Sequence, residues 1–281
     1  TTVLGQANNI RLAIGLSLTI VGVPLWAFHW RLMTRHLIDM PVETRSVVRK
    51  AYLYIVLTIA CSVSTWAAIT LVQWVFGNRT FSGFSASALF IWSMVWIYHW
   101  RIEVTQGQPT NTTKALRRLY LYTTSTSMLT VSAVGAGLIL NVVFRQVYAS
   151  LTDYLVFSGE VWMGSMKAGL SLFLVGGGIW TTHWVWFARR DYESTLRQLY
   201  QQVYAVIGGV ITVLGASGII IYQLLVWLIG VSTEPSAAAH FDFLPPALAT
   251  LIVGVVILTY HAVTAQTEPT IGISAAQNSR N

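Results

Sequence analysis

The chain has 281 residues, of which 54% are apolar and only 10% charged, with a formal charge of +7. Its mean hydropathy of +0.60 excludes an ordinary soluble domain. The basic residues sit in short loops between apolar runs, which excludes a nucleic-acid surface and points to membrane topology. The single cysteine, Cys61, lies inside an apolar run, so neither a disulfide framework nor a thiol metal site is expected.

Runs of roughly 20 apolar residues, enough to cross about 30 Å of hydrocarbon, predict seven spans. They fall near residues 10–30, 50–76, 84–101, 118–144, 167–188, 199–231 and 245–265. The first span ends in Trp26-x-x-His29-Trp30, and the second opens on Arg49-x-x-Tyr52. The third ends in Trp96-x-x-His99-Trp100, and the fourth opens on Arg117-x-x-Tyr120. The fifth ends in Trp180-x-x-His183-Trp184, and the sixth opens on Arg197-x-x-Tyr200. The seventh closes on Tyr260-His261 without the tryptophans, and a polar tail occupies 266–281.

The recurrence predicts an all-α integral membrane protein with about seven transmembrane helices, built from duplicated two-helix hairpins. It forms a single domain over 1–281, with repeat units near 10–80, 84–150 and 166–232 and a half unit at 245–265. Histidines repeat after 70 and then 84 residues, arginines after 68 and then 80, a drift that suits duplicated hairpins better than a solenoid. Loops after the odd spans carry 12 basic residues against 3 in the others. By the positive-inside rule the N-terminus lies outside, the C-terminus in the cytoplasm, and each Trp-x-x-His-Trp at the cytoplasmic surface. The chain opens at Thr1 without methionine and shows no signal-peptide pattern, so a processed N-terminus or an upstream segment is expected.

The span centres lack Asp, Glu, Lys and Arg, which disfavours a pump or ion-coupled transporter. They hold small residues instead: Gly135, Gly137, Gly176, Gly177, Gly178, Gly208, Gly209, Gly215 and Gly218. These permit close approach of helices or of a flat apolar ligand. Serine-hydrolase, zinc-protease and phosphate-loop signatures are missing, so no catalytic residue is expected. The acidic residues Asp39, Glu43, Asp191 and Glu193 lie in basic loops, where charge balance explains them. The stretches 149–166 and 233–246, the latter with His240 and Asp242, read as outside surfaces that lie on the membrane or hold a partner.

Residues i, i+3 and i+4 share one side of a helix. Trp26 and Trp30, Trp96 and Trp100, and Trp180 and Trp184 are therefore expected to act as interfacial anchors at headgroup level. Imidazole is also a usual ligand for haem or a chlorin, so His29, His99, His183 and His261 form the alternative reading as cofactor ligands. The lack of Cys-x-x-Cys-His excludes covalent c-type haem. Arg49 with Tyr52, Arg117 with Tyr120, and Arg197 with Tyr200 suit anionic lipid headgroups, or a tryptophan face through cation–π contact.

The stretches Pro24-Leu25-Trp26-Ala27-Phe28-His29-Trp30-Arg31 and Arg117-Arg118-Leu119-Tyr120-Leu121-Tyr122 carry a resemblance. They are similar to a bacterial family of multi-spanning membrane domains of unknown function. The likeness covers most of 10–230 and weakens where Gln201 and Gln202 interrupt the tyrosine pattern. It implies a bacterial plasma-membrane location, and a photosynthetic or respiratory assembly as home, but supplies no ligand residues. The expected function is an accessory or scaffold subunit in contact with lipids and other membrane subunits. A haem- or chlorin-binding redox or photosynthetic subunit is the alternative.

Overall fold

Apolar runs in lipid have no water to satisfy backbone N–H and C=O groups, so each closes its bonds within a helix. The computed structural model describes residues 3–40, 43–44, 46–105, 110–152, 159–192 and 194–266. The tail from 267 onward, with Arg45 and Glu193 of the basic loops, lies outside them. Seven helical rods occur among the described residues: α1 (Val3–Asp39), α2 (Val47–Val75), α3 (Gly83–Thr105), α4 (Asn111–Thr152), α5 (Gly159–Trp180), α6 (Thr195–Ile229) and α7 (Ala237–Gln266). No strand occurs among them. Beyond Trp180, α5 continues as a π-helix over Thr181–Ala188, α6 is π-helical over Leu199–Ile207, and α7 holds a 3-10 turn at Phe241–Phe243.

Five rods are long and apolar enough to cross a membrane: α1, α2, α4, α6 and α7. Seven spans were expected. The aromatic and imidazole side chains of Trp92, Trp96, Tyr98, His99 and Trp100 lower the hydropathy of α3, and Glu160 and Lys167 break the apolar run of α5. At 42 residues, α4 is the longest rod, roughly 63 Å at the helical rise, about twice the hydrocarbon thickness.

The turns have local causes. Gly230 caps α6 with a left-handed φ of 77°. Ser194 and Ser236 cap the starts of α6 and α7, each side chain accepting from a backbone N–H three residues on. The loop after α6 is pinned by His240, whose Nε2 lies 2.9 Å from Gln223 O and Nδ1 2.8 Å from Ser232 Oγ. Tyr148 Oη, near the far end of α4, donates to Ala238 O at 2.7 Å. The 233–246 surface is thereby tied to the protein, with His240 buried.

Packing pairs each even helix with the odd helix that follows it. α2 lies on α3, α4 on α5 and α6 on α7, with α7 also against α4, and α2 against α4 and α5. The spans flanking a basic loop, α3 with α4 and α5 with α6, seldom bring their backbones close and meet through side chains such as Trp96 with Tyr120 and Trp180 with Tyr200. The repeat read from sequence, an odd span plus basic loop plus even span, therefore differs from the packing unit, an even helix plus the next odd one. No residue of the apolar window of α1 is buried by the rest of the chain.

The α4–α5 crossing depends on absent side chains. A Cβ on Gly135 would stand 2.4 Å from Phe173 N and 2.7 Å from Gly169 O, and one on Gly176 would meet Ser132 N at 2.8 Å. Gly209 fits against Leu258 in the same way, whereas Gly137, Gly178, Gly208, Gly215 and Gly218 face open space. Gly135→Val should lower the thermal midpoint in detergent by the equivalent of about 1–3 kcal/mol, the usual cost of overpacking. Gly137→Val should leave it unchanged.

Candidate functional site: a repeated Trp–Tyr–His relay

The odd helices deliver a tryptophan and a histidine one turn apart, and the even helices deliver a tyrosine near their start. Packing joins them across repeat units. Trp96 Nε1 donates to Tyr120 Oη at 2.8 Å, and Tyr120 Oη lies 2.9 Å from His183 Nε2. His183 Nδ1 lies 2.9 Å from Ile179 O, one turn back. One register later, Trp180 Nε1 donates to Tyr200 Oη at 2.8 Å, Tyr200 Oη lies 3.3 Å from His261 Nε2, and His261 Nδ1 lies 2.9 Å from Ile257 O.

Donor and acceptor roles follow from chemistry. A carbonyl only accepts, so Nδ1 of each imidazole carries a proton and, in the neutral ring, Nε2 presents a lone pair. Each tyrosine hydroxyl takes the indole N–H and donates its own proton to Nε2. Every polar atom in the chain of bonds is satisfied, as burial in an apolar medium demands.

The surrounding shell also repeats. Tyr122 Oη donates to Ala188 O at 3.3 Å, and Gln201 Nε2 donates to His261 O at 3.2 Å. Trp184 Nε1 donates to Tyr260 Oη at 3.2 Å. Arg117 stands 5.8 Å from the Trp100 ring centre and Arg197 5.9 Å from that of Trp184, within cation–π range. Arg118 grips Asp191 with two bonds of 2.7 and 2.6 Å. In the equivalent place near the first register, Lys50 pairs with Glu103, and Tyr54 Oη donates to the other carboxylate oxygen at 2.5 Å. Both partners of that ion pair are buried.

The two π-helical segments coincide with this layer, since His183 and Trp184 lie in one and Tyr200 and Gln201 in the other. A π turn shifts side-chain register and recurs at functional positions. Here the second is where Gln201 and Gln202 interrupt the tyrosine pattern.

The predicted residues divide by position. Tyr120, Trp184, Arg197 and Tyr200 are buried, so they meet protein groups in place of lipid headgroups. Trp96, Trp100 and Trp180 are half-buried against the core, and only Trp26 of the motif tryptophans is strongly exposed, stacked on Trp30. Arg49 is buried and Tyr52 exposed. Of the histidines, His99, His183 and His261 are buried while His29 is exposed on α1. Glu103 was not among the predicted residues. It stands one turn past His99 on the same helix face, and that spacing was the available signal. Among the described residues no group of three or more His, Cys, Asp or Glu is placed to hold a metal ion.

Five helices long and apolar enough to cross a membrane, in a rod set joined by aromatic and imidazole hydrogen bonds, define a protein of the helical membrane class. The family described as a domain of unknown function, DUF5671, matches residues 1–81 and 128–260, and the chain belongs to it. No curated protein and no solved structure matches the chain.

Replacing Tyr120 by Phe strands an indole N–H and an imidazole nitrogen and should cost about 1–2 kcal/mol in detergent unfolding. Tyr52→Phe, outside the closed relays, should fall within error. For the buried ion pair, Glu103→Gln should destabilise by about 3 kcal/mol or more, because it leaves the Lys50 charge unmatched. Lys50→Met combined with Glu103→Leu should recover most of that loss.

Proposed function

We propose that this chain is an accessory or scaffold subunit of a larger assembly in a bacterial plasma membrane. The observation that carries the reading is α1, whose apolar window is left uncovered by the rest of the protein. A transmembrane helix of a partner subunit fits such a face. Trp26 and the exposed flank of α2 around Tyr52 border it, and we assign interfacial anchoring to Trp26.

The relays support a scaffold in a second way. Tyrosine hydroxyls occupy Nε2 of His183 and His261, so ligation of haem or a chlorin there would require displacing them. We place the N-terminus outside and the C-terminus in the cytoplasm, with seven spans, on the 12-to-3 bias of basic residues. The relay layer then faces the cytoplasm.

Gentle extraction from the native membrane, followed by a native gel with mass identification, tests the reading. Reproducible companion chains in fixed ratio and no tetrapyrrole absorption are expected. A chain that migrates alone, or a Soret band, would contradict it. Orientation has its own check: Thr80→Cys should react with an impermeant maleimide in intact cells and Asn111→Cys only after lysis.

A further inference from the structure

His99 breaks the pattern of His183 and His261. Its Nδ1 lies 2.8 Å from Val95 O and so carries the proton. Its Nε2 has no hydrogen-bond partner among the described residues, although the side chain is only 4% exposed. A buried acceptor left unmade is costly, so this position calls for a donor.

The register assigns that donor to Tyr52, as it assigns Tyr120 to His183 and Tyr200 to His261. Tyr52 does not supply it. Its ring centre lies 6.2 Å from that of His99, against 5.6 Å in both closed copies, and it remains 46% exposed. Between α1, α2 and α3 the gap is a cavity of ≈ 450 Å³ bounded by Trp26, Tyr52, Trp92, Val95, Tyr98 and His99. Trp26 holds the place that Trp96 and Trp180 hold in the closed registers. The walls are therefore aromatic faces and the His99 imidazole, whose unpartnered Nε2 is buried at the margin, beside a helix open to lipid.

We propose that this cavity binds a membrane-soluble phenol, quinol headgroups included, whose hydroxyl donates to His99 Nε2. The ligand class is taken from the protein itself, since in both closed registers the same nitrogen accepts from a phenol that an indole holds in place. A flat ring suits the indole and phenol walls, and entry from the bilayer needs no aqueous channel. The site is non-covalent and requires only that the chain lies in a membrane, so it stands or falls separately from the accessory-subunit reading.

The test is equilibrium binding of 4-hexylphenol to the full-length chain in detergent micelles, compared with 4-hexylanisole. The ether keeps the tail and ring but loses the O–H donor. Saturable binding with about fivefold preference for the phenol is expected, in line with one net hydrogen bond. His99→Phe, which keeps ring volume without the acceptor, should abolish the preference, and Trp26→Phe should weaken phenol binding while leaving the fold intact. Circular dichroism and gel filtration of each variant report folding. Equal affinity for phenol and ether would overturn the proposal. So would phenol binding that appears only in Tyr52→Phe, because Tyr52 would then satisfy His99 itself. A tetrapyrrole band lost in His99→Phe would overturn it in favour of metal ligation.

Discussion

A histidine enclosed by apolar helices has two ring nitrogens to satisfy and no water to do it. The protein meets this constraint by tying Nδ1 to the carbonyl one turn back and handing Nε2 to a tyrosine on a neighbouring helix. The tyrosine in turn needs a donor, which the tryptophan of its own repeat unit supplies. The relay thus draws on three helices at once: α3, α4 and α5 in one copy, and α5, α6 and α7 in the next. Helix order, spacing and rotation at this layer follow from it. Directional bonds of this kind matter in lipid, where tails compete with side chains for every apolar contact.

Small residues handle the remainder of the interface. Gly135 and Gly176 bring α4 and α5 within backbone contact, while the relay and the Arg118–Asp191 and Lys50–Glu103 pairs act at the basic-loop end. At the opposite end, Tyr148 and His240 fasten the α6–α7 connection. The rods α4, α6 and α7 are therefore held at both ends, and α4 with α5 and α6 with α7 also in the middle. α1 shares none of these fastenings, touching the rest through rings such as Trp30, 5.5 Å from Tyr98. The open His99 register and the uncovered α1 face belong to the same region of the molecule.

Much of the relay was legible as residues and little of it as pairing. Trp-x-x-His and Arg-x-x-Tyr announced that Trp96, Tyr120 and His183 mattered, yet sequence grouped Tyr120 with His99 in one unit. The packing of α4 on α5 and of α6 on α7 brings Tyr120 to His183 and Tyr200 to His261, so in the two closed copies each tyrosine serves the next histidine. A membrane setting encouraged reading Trp184 as an interfacial anchor, whereas its hydrogen bond to Tyr260 and its ring contacts turn it inward, and of the two readings open for Arg197 it is the tryptophan face that it meets. Gly169 and Gly254 also sit in tight contacts, where an added Cβ would meet a neighbour at 3.0 Å, but stand as isolated glycines, without a cluster to flag them. The π-helical turns left one sequence trace, the interruption at Gln201 and Gln202, because a register shift changes geometry without changing composition.

The central claim concerns which nitrogen of each buried imidazole carries the proton and what the other one meets. Nitrogen NMR of the histidine-labelled protein in micelles reads both directly. The account predicts that His99, His183 and His261 are Nδ1–H tautomers, with Nε2 hydrogen-bonded in the latter two. Tyr120→Phe should then move the Nε2 signal of His183 while leaving that of His261 in place. Protonated Nε2 atoms, or a His183 signal indifferent to the loss of the Tyr120 hydroxyl, would contradict the relay.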